Sequence, residues 1–258
     1  MKIWSTNNNY VKPAKKLFDE GVYDYIELFA VPDSFNDTIG QWQSLKKIPF
    51  VIHAAHSTVG FNPAKAECFQ RNLELAEEAF GFSDKLSADT IIFHPGCEGK
   101  IEETINQFKI IKTKYDTQTN KMIVENKPYY GKLDDKPIIC NGYNPIEIQR
   151  IMIECSIGFC LDIGHAIYAA NALKQNPFDF LDEFYKLSPR MYHFSDGNIN
   201  GVDDTHWNIG KGNFDFSRIL KHIPKESKIS LETEKASSKN LDDFVKDVNN
   251  VKDFINEE

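Results

Sequence analysis

The chain lacks several features that mark specialised classes of protein. Its five cysteines are odd in number and include no Cys-x-x-Cys pair, which argues against a disulfide framework and against a zinc knuckle. Its sequence contains no apolar run of the roughly eighteen residues that a membrane span requires. It does not open with a basic segment followed by an apolar stretch, so we expect a cytoplasmic protein that does not enter a membrane.

An excess of positive charge is also missing. The formal net charge of -8 argues against a protein that coats nucleic acid by bulk electrostatics. Bound divalent cations would offset part of this charge locally, so a phosphate-bearing substrate is still compatible with it. With 258 residues, of which 41% are hydrophobic and 26% charged, the chain can bury one large core. We therefore expect a single domain over residues 1–258.

Short apolar segments alternate with helical segments along the whole chain. The pattern predicts eight strands, at 2–6, 24–29, 49–54, 90–93, 121–125, 157–162, 190–194 and 228–232. It predicts helices at 11–20, 40–47, 63–80, 101–115, 145–154, 176–187, 215–222 and 241–256. Several strands are apolar throughout, as in a parallel sheet that is buried on both faces. The sequence predicts an α/β fold, a single (β/α)8 TIM barrel, with an irregular segment over 127–143.

Histidines and carboxylates recur where the apolar strands end. The chain has only seven histidines, and a scattered surface histidine has no reason to choose strand ends repeatedly. In a (β/α)8 barrel the carboxyl ends of the strands gather around one axis, where active sites lie. We therefore predict that nine side chains converge there as metal ligands: His53, His94, Glu125, Asp162, His165, His193, Asp204, His206 and Glu232.

Imidazole and carboxylate groups are ligands for ions of the zinc or manganese type. Four such ligands satisfy one ion, and nine are enough for two or three. A cluster of closely spaced ions suits hydrolysis of a phosphoester, with Glu125 able to bridge two of them. One ion held by Glu125, Asp162, His193 and Glu232 would suffice for sugar isomerisation. In either chemistry we expect Glu125 and Glu232 to be catalytic. A third hypothesis is a binding protein that keeps the cluster for structure.

The motifs resemble those of the xylose isomerase-like TIM-barrel superfamily, and most of all its endonuclease IV branch. The matching patterns are IHA at His53, FHPG at His94, VEN at Glu125, LDIGHA at 161–166, D-x-H then I-G-x-G at 204–212, and LET at 231–233. The resemblance implies up to three divalent ions, Zn²⁺ with Mn²⁺ or Mg²⁺ as alternatives. It implies three ligand sets: His53, His94 and Glu125; Glu125, Asp162, His193 and Glu232; His165, Asp204 and His206.

The sequence departs from endonuclease IV at the residues that probe DNA. In that family an arginine before a Gln-Trp pair and a tyrosine three residues after the first histidine enter the duplex. Here Gly40 precedes Gln41-Trp42, and His56 takes the place of the tyrosine. The resemblance implies a metal-dependent phosphodiesterase acting on a phosphoester or sugar phosphate, with abasic DNA as one substrate. Sugar phosphate isomerases and epimerases share Asp162-x-x-His165, so a one-metal isomerase is the alternative.

Six further residues are predicted to contact substrate, each with a plainer alternative. His56 lines the pocket or contacts substrate, and Lys211 reaches a phosphate or stays a solvated loop lysine. Trp4 and Tyr129, like Tyr130, stack on a sugar or base or simply pack. The other predicted contacts are Asn126 and Lys127, through substrate oxygens. Glu27 is either a sugar-binding carboxylate or part of a buried pair.

Overall fold

The computed structural model describes residues 1–117 and 119–256. Within these ranges eight parallel strands form one nearly closed sheet whose order follows the chain. The barrel strands are β1 (Lys2–Trp4), β2 (Ile26–Phe29), β3 (Phe50–His53), β4 (Ile91–Phe93), β5 (Met122–Glu125), β8 (Gly158–Asp162), β9 (Met191–Phe194) and β10 (Lys228–Leu231). Between β5 and β8 the chain adds an antiparallel hairpin, β6 (Tyr130–Leu133) and β7 (Lys136–Ile139). The predicted (β/α)8 barrel is confirmed.

Helices surround the barrel and connect its strands. In the described ranges they are α1 (Val11–Asp19), α2 (Phe35–Gln43), α3 (Phe69–Leu86), α4 (Ile101–Tyr115), α5 (Pro145–Cys155), α6 (Ile163–Ala172), α7 (Pro177–Tyr185), α8 (Phe216–Leu220) and α9 (Asp242–Asn256). Three short 3-10 turns lie at Asn8–Tyr10, Ser57–Val59 and Ala66–Cys68. Among the described residues, no helix has both the length and the apolar character that a bilayer crossing needs.

Two helices differ from their predicted positions, and a third was not predicted. Helix α3 begins at Phe69 and continues past Gly81 to Leu86; a Cβ at position 81 would be in ordinary contact with the Phe35 ring, at 3.4 Å. Helix α2 covers 35–43 instead of 40–47. Helix α6 was not predicted at all, because eight of its ten residues are buried and the sequence therefore shows no polar face.

Along five of the strands, the residues that point into the barrel change from apolar to polar over two positions. A buried cluster fills the lower interior with Val51, Ile92, Ile123, Cys160 and Met191. Side chains of a strand alternate between its two faces, so the residue two positions onward points into the same interior, one layer higher. On β3, β5, β8 and β9 those positions hold His53, Glu125, Asp162 and His193, and His94 takes the same position directly after β4. The alternation thus places five predicted ligands in one layer.

Candidate metal centre

The first ligand group is formed by β3, the residue after β4, and the end of β5. His53 Nε2 and His94 Nε2 both lie 3.2 Å from Glu125 Oε2. His53 and Glu125 are fully buried, and His94 is 8% exposed. Three ligand atoms therefore face one point at the top of the barrel.

The second group shares Glu125 and adds side chains from β8, β9 and the end of β10. His193 Nδ1 lies 3.4 Å from Glu125 Oε2 and 2.7 Å from Glu232 Oε1. Asp162 faces the same region, with its Oδ2 3.6 Å from His165 Nδ1. All of these side chains are buried. Glu125 thus stands between the first and second groups, as a bridging carboxylate would.

The third group lies at the rim of the barrel mouth. His165 Nε2 and His206 Nε2 each lie 3.0 Å from Asp204 Oδ2. His165 is buried, whereas Asp204 and His206 are about one-quarter and one-third exposed. The third group is therefore the most accessible of the three.

The ligand atoms lie close enough together to converge on an ion. When bonds are about 2.1 Å long, the ligand atoms around a tetrahedral ion lie about 3.4 Å apart. The separations in the first and third groups, and those of His193 in the second, run from 2.7 to 3.4 Å, at or below that spacing and within hydrogen-bond range. The four described groups of histidine and carboxylate atoms able to hold an ion include all nine predicted ligands, together with Glu27.

The histidine rings are held so that one nitrogen of each ring faces its group. The other nitrogen of His53, His165 and His206 donates to a backbone oxygen at 2.8 Å, those of Ala54, Asn126 and Glu232. His193 differs, because its Nε2 lies 3.0 Å from the Glu27 carboxylate. Partners of this kind fix the tautomer and the ring orientation of metal-binding histidines.

Several buried polar atoms of the centre have no hydrogen-bond partner among the described residues. They are Glu27 Oε1, Glu125 Oε1, Asp162 Oδ2 and His193 Nδ1. Leaving such atoms unpaired costs free energy, so each one requires an explanation. Three of the four belong to residues of the second ligand group, and their nearest charged neighbours are other candidate ligands and Lys127. His193 Nδ1 lies 2.7 Å from Glu232 Oε1, and Glu125 Oε1 lies 3.1 Å from His165 Nδ1 and 3.6 Å from Lys127 Nζ. The arrangement therefore fits a bound divalent cation.

Asp162 also fixes the start of helix α6. Its Oδ1 accepts the backbone N–H of His165 at 2.7 Å, as an N-cap does, which leaves Oδ2 for the second group. The amide of Asn126 clamps the same residue, donating to the Asp162 carbonyl at 2.9 Å and accepting from its N–H at 2.8 Å. Asn126 is fully buried, so its side chain orders the ligand layer instead of facing the cavity.

Asp196 orders the loop that carries Asp204 and His206. Its Oδ2 accepts the N–H groups of Gly210 and Gly212, both at 2.9 Å. A Cβ at Gly212 would lie 2.2 Å from the Gly197 carbonyl oxygen, so only glycine fits there. This packing gives a physical reason for the I-G-x-G motif. His206 itself adopts a left-handed backbone (φ 47°), which its bond to the Glu232 carbonyl helps to maintain.

Sequence reasoning missed Lys2. Its Nζ lies 2.6 Å from Glu232 Oε1, inside the barrel. Burial alone would lower the pKa of Lys2, but the carboxylates of Glu232, Glu27 and Glu125 raise it above its ordinary value. A lysine at an inward position of a buried strand was the available signal. Of the two alternatives predicted for Glu27, the structure shows the buried pair, which Glu27 forms with His193.

Charge around the centre perturbs the titration of the histidines. Burial opposes protonation of His165, but Asp162 and Asp204 raise its pKa to about 10. Asp204 likewise overcomes the effect of burial at His206 and raises that pKa to about 9. Burial, together with the charge of Lys127, lowers the pKa of His94 well below its usual range. Protonation is therefore disfavoured at His94 and favoured at His165 and His206.

Two adjacent cavities lie beside the ligands. The first, of about 460 Å³, has walls from the hairpin and the strand ends, including His56, Lys127, Tyr130 and Asp204. The second, of about 550 Å³, contains the 55% exposed Trp4. The cavities share Lys2, His56, His206 and Glu232. Volumes of this size suit small molecules.

Three of the predicted substrate residues do not line either cavity: Asn126, which orders the ligand layer, Tyr129 and Lys211. Tyr129 packs edge-on against Tyr130 and Tyr143, with ring centroids 4.7 Å apart in both pairs. Lys211 is exposed on the loop after β9 and is not among the residues that line either cavity. His56, by contrast, lines both cavities, and burial and the neighbouring His53 lower its pKa to about 3, so its ring is neutral near pH 7.

Fold and site together define a (β/α)8 barrel whose mouth holds several groups of potential metal ligands. The chain belongs to the xylose isomerase-like TIM barrel family, whose model matches residues 16–253. The resemblance to this superfamily is thereby confirmed. Among curated relatives, the uncharacterized protein MJ1311 of Methanocaldococcus jannaschii is 28% identical over 224 residues, which cover 81% of this chain and 71% of that protein.

Solved structures with the same fold include an endonuclease and an epimerase-like protein. Endonuclease IV from Thermus thermophilus superimposes with a TM-score of 0.74 at 18% identity, covering 100% of this chain and 98% of that one. A D-tagatose 3-epimerase-like protein has a TM-score of 0.72 at 21% identity, covering 99% and 97% of the two chains. At these identities the likeness is one of fold.

Proposed function

We propose that this protein is a metal-dependent phosphoester hydrolase that binds up to three divalent cations, Zn²⁺ foremost. The observation that carries the proposal is the third ligand group: His165 and His206 each lie 3.0 Å from Asp204, outside the four residues that a one-metal isomerase needs. Together with the first group, this arrangement suits a cluster of ions and not a single ion. The five free cysteines fit a reducing compartment such as the cytoplasm.

Bound divalent cations supply a water of lowered pKa and neutralise phosphoryl oxygens. The residues of the chain then have distinct tasks. Glu125, placed between the first two groups, orients ligands of both, and Glu232 is held by the ammonium of Lys2. Lys127 lines the cavity and holds its ammonium beside Glu125 and His165, where it can bind a phosphoryl oxygen of a substrate at the ligand cluster.

The cavity supports a small phosphorylated substrate over duplex DNA. The hairpin forms one wall of the space of about 460 Å³ in front of the ligands. His56 stands in that wall, with its ring stacked 5.4 Å from the His94 ring, where endonuclease IV has the intercalating tyrosine. Gly40 lies on α2 and presents no side chain. We therefore expect a phosphosugar or nucleotide-like ester instead of an abasic site in a duplex.

The test is metal-dependent turnover across a panel of phosphoesters. Zinc- or manganese-loaded protein is incubated with bis(p-nitrophenyl) phosphate, sugar phosphates, nucleotides and an abasic DNA duplex. We expect hydrolysis of small esters that is abolished by a chelator and reduced at least a hundredfold in Asp204→Asn. Failure of every ester to react with the fully loaded protein would refute the proposal.

A one-metal sugar epimerase is the second candidate, favoured by the burial of Glu125, Asp162, His193 and Glu232 at the mouth of the barrel. Its reaction would introduce solvent deuterium into ketoses or their phosphates in D₂O. In that case Asp204→Asn should leave turnover largely unchanged, because Asp204 is not part of the one-metal set. The same variant therefore separates the two candidates.

A further inference from the structure

Lys127 lies between the first and third ligand groups. Its Nζ is 3.6 Å from Glu125 Oε1 and 3.3 Å from His165 Nε2, and its side chain is only 16% exposed. The position is anchored, because the Lys127 N–H donates to the Gly142 carbonyl at 3.1 Å and β5 ends only two residues earlier. The ammonium therefore belongs to the ligand cluster itself.

The contact between Lys127 and His165 matters because it involves Nε2, the ring nitrogen that is available to an ion. The Nδ1 atom of His165 bonds the Asn126 carbonyl at 2.8 Å, so an ion of the third group must bind the lone pair on Nε2. An ammonium group carries a positive charge and has no lone pair, and that of Lys127 lies 3.3 Å from this Nε2 atom. Lys127 and an ion of the third group would therefore place positive charge beside the same ligand atom.

We propose that Lys127 competes with the cation of the third group, so that this group binds its ion more weakly than the first group does. The inference rests on the metal cluster of the proposed function and adds a residue that sets its occupancy. When the third ion is absent, the Lys127 ammonium supplies positive charge at the same place, beside Asp204 and Glu125.

The size of the effect follows from charge and distance. To admit an ion, Lys127 must leave His165, but its anchored backbone keeps the ammonium within several ångströms. Even in a water-like dielectric, a unit charge about 4 Å from a divalent ion weakens binding about thirtyfold. The charge of Lys127 also acts on the first group, where it helps to lower the pKa of His94. The ammonium nevertheless faces Glu125 Oε1 at 3.6 Å, whereas His53 and His94 Nε2 face Glu125 Oε2, so its direct contact with a ligand nitrogen is in the third group.

Charge balance points the same way. Among the described residues, five buried or half-buried carboxylates face the cluster: Glu27, Glu125, Asp162, Asp204 and Glu232. Lys2 and Lys127 already offset two of these negative charges. Two divalent ions outweigh the three that are left, and a third ion would add to the excess of positive charge. This balance favours partial occupancy of the third group until an anionic substrate arrives.

The experiment is a zinc titration of the full chain against a chromophoric chelator. Wild type, Lys127→Met and Lys132→Met are compared; Lys132 is an exposed lysine on the wall of the same cavity. We expect the weakest ion of wild type to bind at least tenfold more weakly than the others. Lys127→Met should strengthen that ion tenfold or more, and Lys132→Met should leave it unchanged. Adding Asp204→Asn to Lys127→Met should abolish it.

Equal affinities for all ions in wild type would overturn the inference, as would a weakest affinity that Lys127→Met changes by less than twofold. A third ion that neither protein binds would also overturn it. Circular dichroism checks folding, with Lys127→Thr as the replacement if the Met variant unfolds. Because the readout is metal affinity, a wrong choice of substrate class leaves this result standing, and absent phosphoesterase activity refutes only the proposed function.

Discussion

Replacement of Glu27 tests whether the ligand layer depends on the residues that orient it. The Glu27 carboxylate lies 3.0 Å from His193 Nε2, and both side chains are fully buried. Glu27→Leu would leave that ring N–H without an acceptor and free the ring to rotate or change tautomer. Loss of such an orienting partner typically weakens metal binding about 10- to 100-fold, or about 1.4 to 2.8 kcal/mol.

Glu27→Gln is the matched control, because its amide oxygen can still accept from the ring. We expect it to lose less than half of the free energy lost by Glu27→Leu. Zinc affinity is measured by chelator competition, and thermal unfolding shows whether each variant folds. If Glu27→Leu binds every ion with wild-type affinity, His193 is not a ligand whose orientation matters, and the account of the second group is wrong.

Three further predictions concern the rim and its loop. Asp204→Asn removes the carboxylate 3.0 Å from both His165 and His206, and metal analysis should show one ion fewer per chain. The pKa values of about 10 for His165 and about 9 for His206 mean that both rings are protonated at pH 7 before an ion binds. Binding there should release protons and tighten as pH rises toward 9, and calorimetry in buffers of different ionisation enthalpy should count those protons. Gly212→Ala should destabilise the protein by about 2 kcal/mol in thermal unfolding, because its Cβ meets backbone at 2.2 Å, whereas Gly40→Ala, with open space around it, should not.

The barrel and the convergence of the ligands could be predicted because both follow from local rules. A side chain two positions after a buried interior residue faces the same interior, and the strand ends of a barrel meet at one mouth. His53 after Val51 and Glu125 after Ile123 show this directly. The glycines at 210 and 212 also had a readable signal, although the packing of Asp196 that requires them appears only in three dimensions.

The remaining features depend on long-range contacts that a linear pattern does not contain. Lys2 meets Glu232 across 230 residues of sequence, and Glu27 meets His193 across 166. Lys127 was predicted to contact substrate, but its contact with His165 Nε2 depends on how α6 is placed against β5. Helix α6 was itself missed because it is buried on all sides. The charged neighbours of the cluster, Lys2, Glu27 and Lys127, are therefore set by contacts between residues far apart in the sequence.

The central claim is that nine side chains from distant parts of the chain hold a cluster of divalent cations. Anomalous-scattering maps from crystals grown with excess zinc test it most directly. The account predicts peaks within bonding distance of Glu125 in the first two groups, and a peak of lower occupancy between His165, Asp204 and His206. A barrel mouth without any anomalous peak, with these side chains turned away from one another, would contradict it.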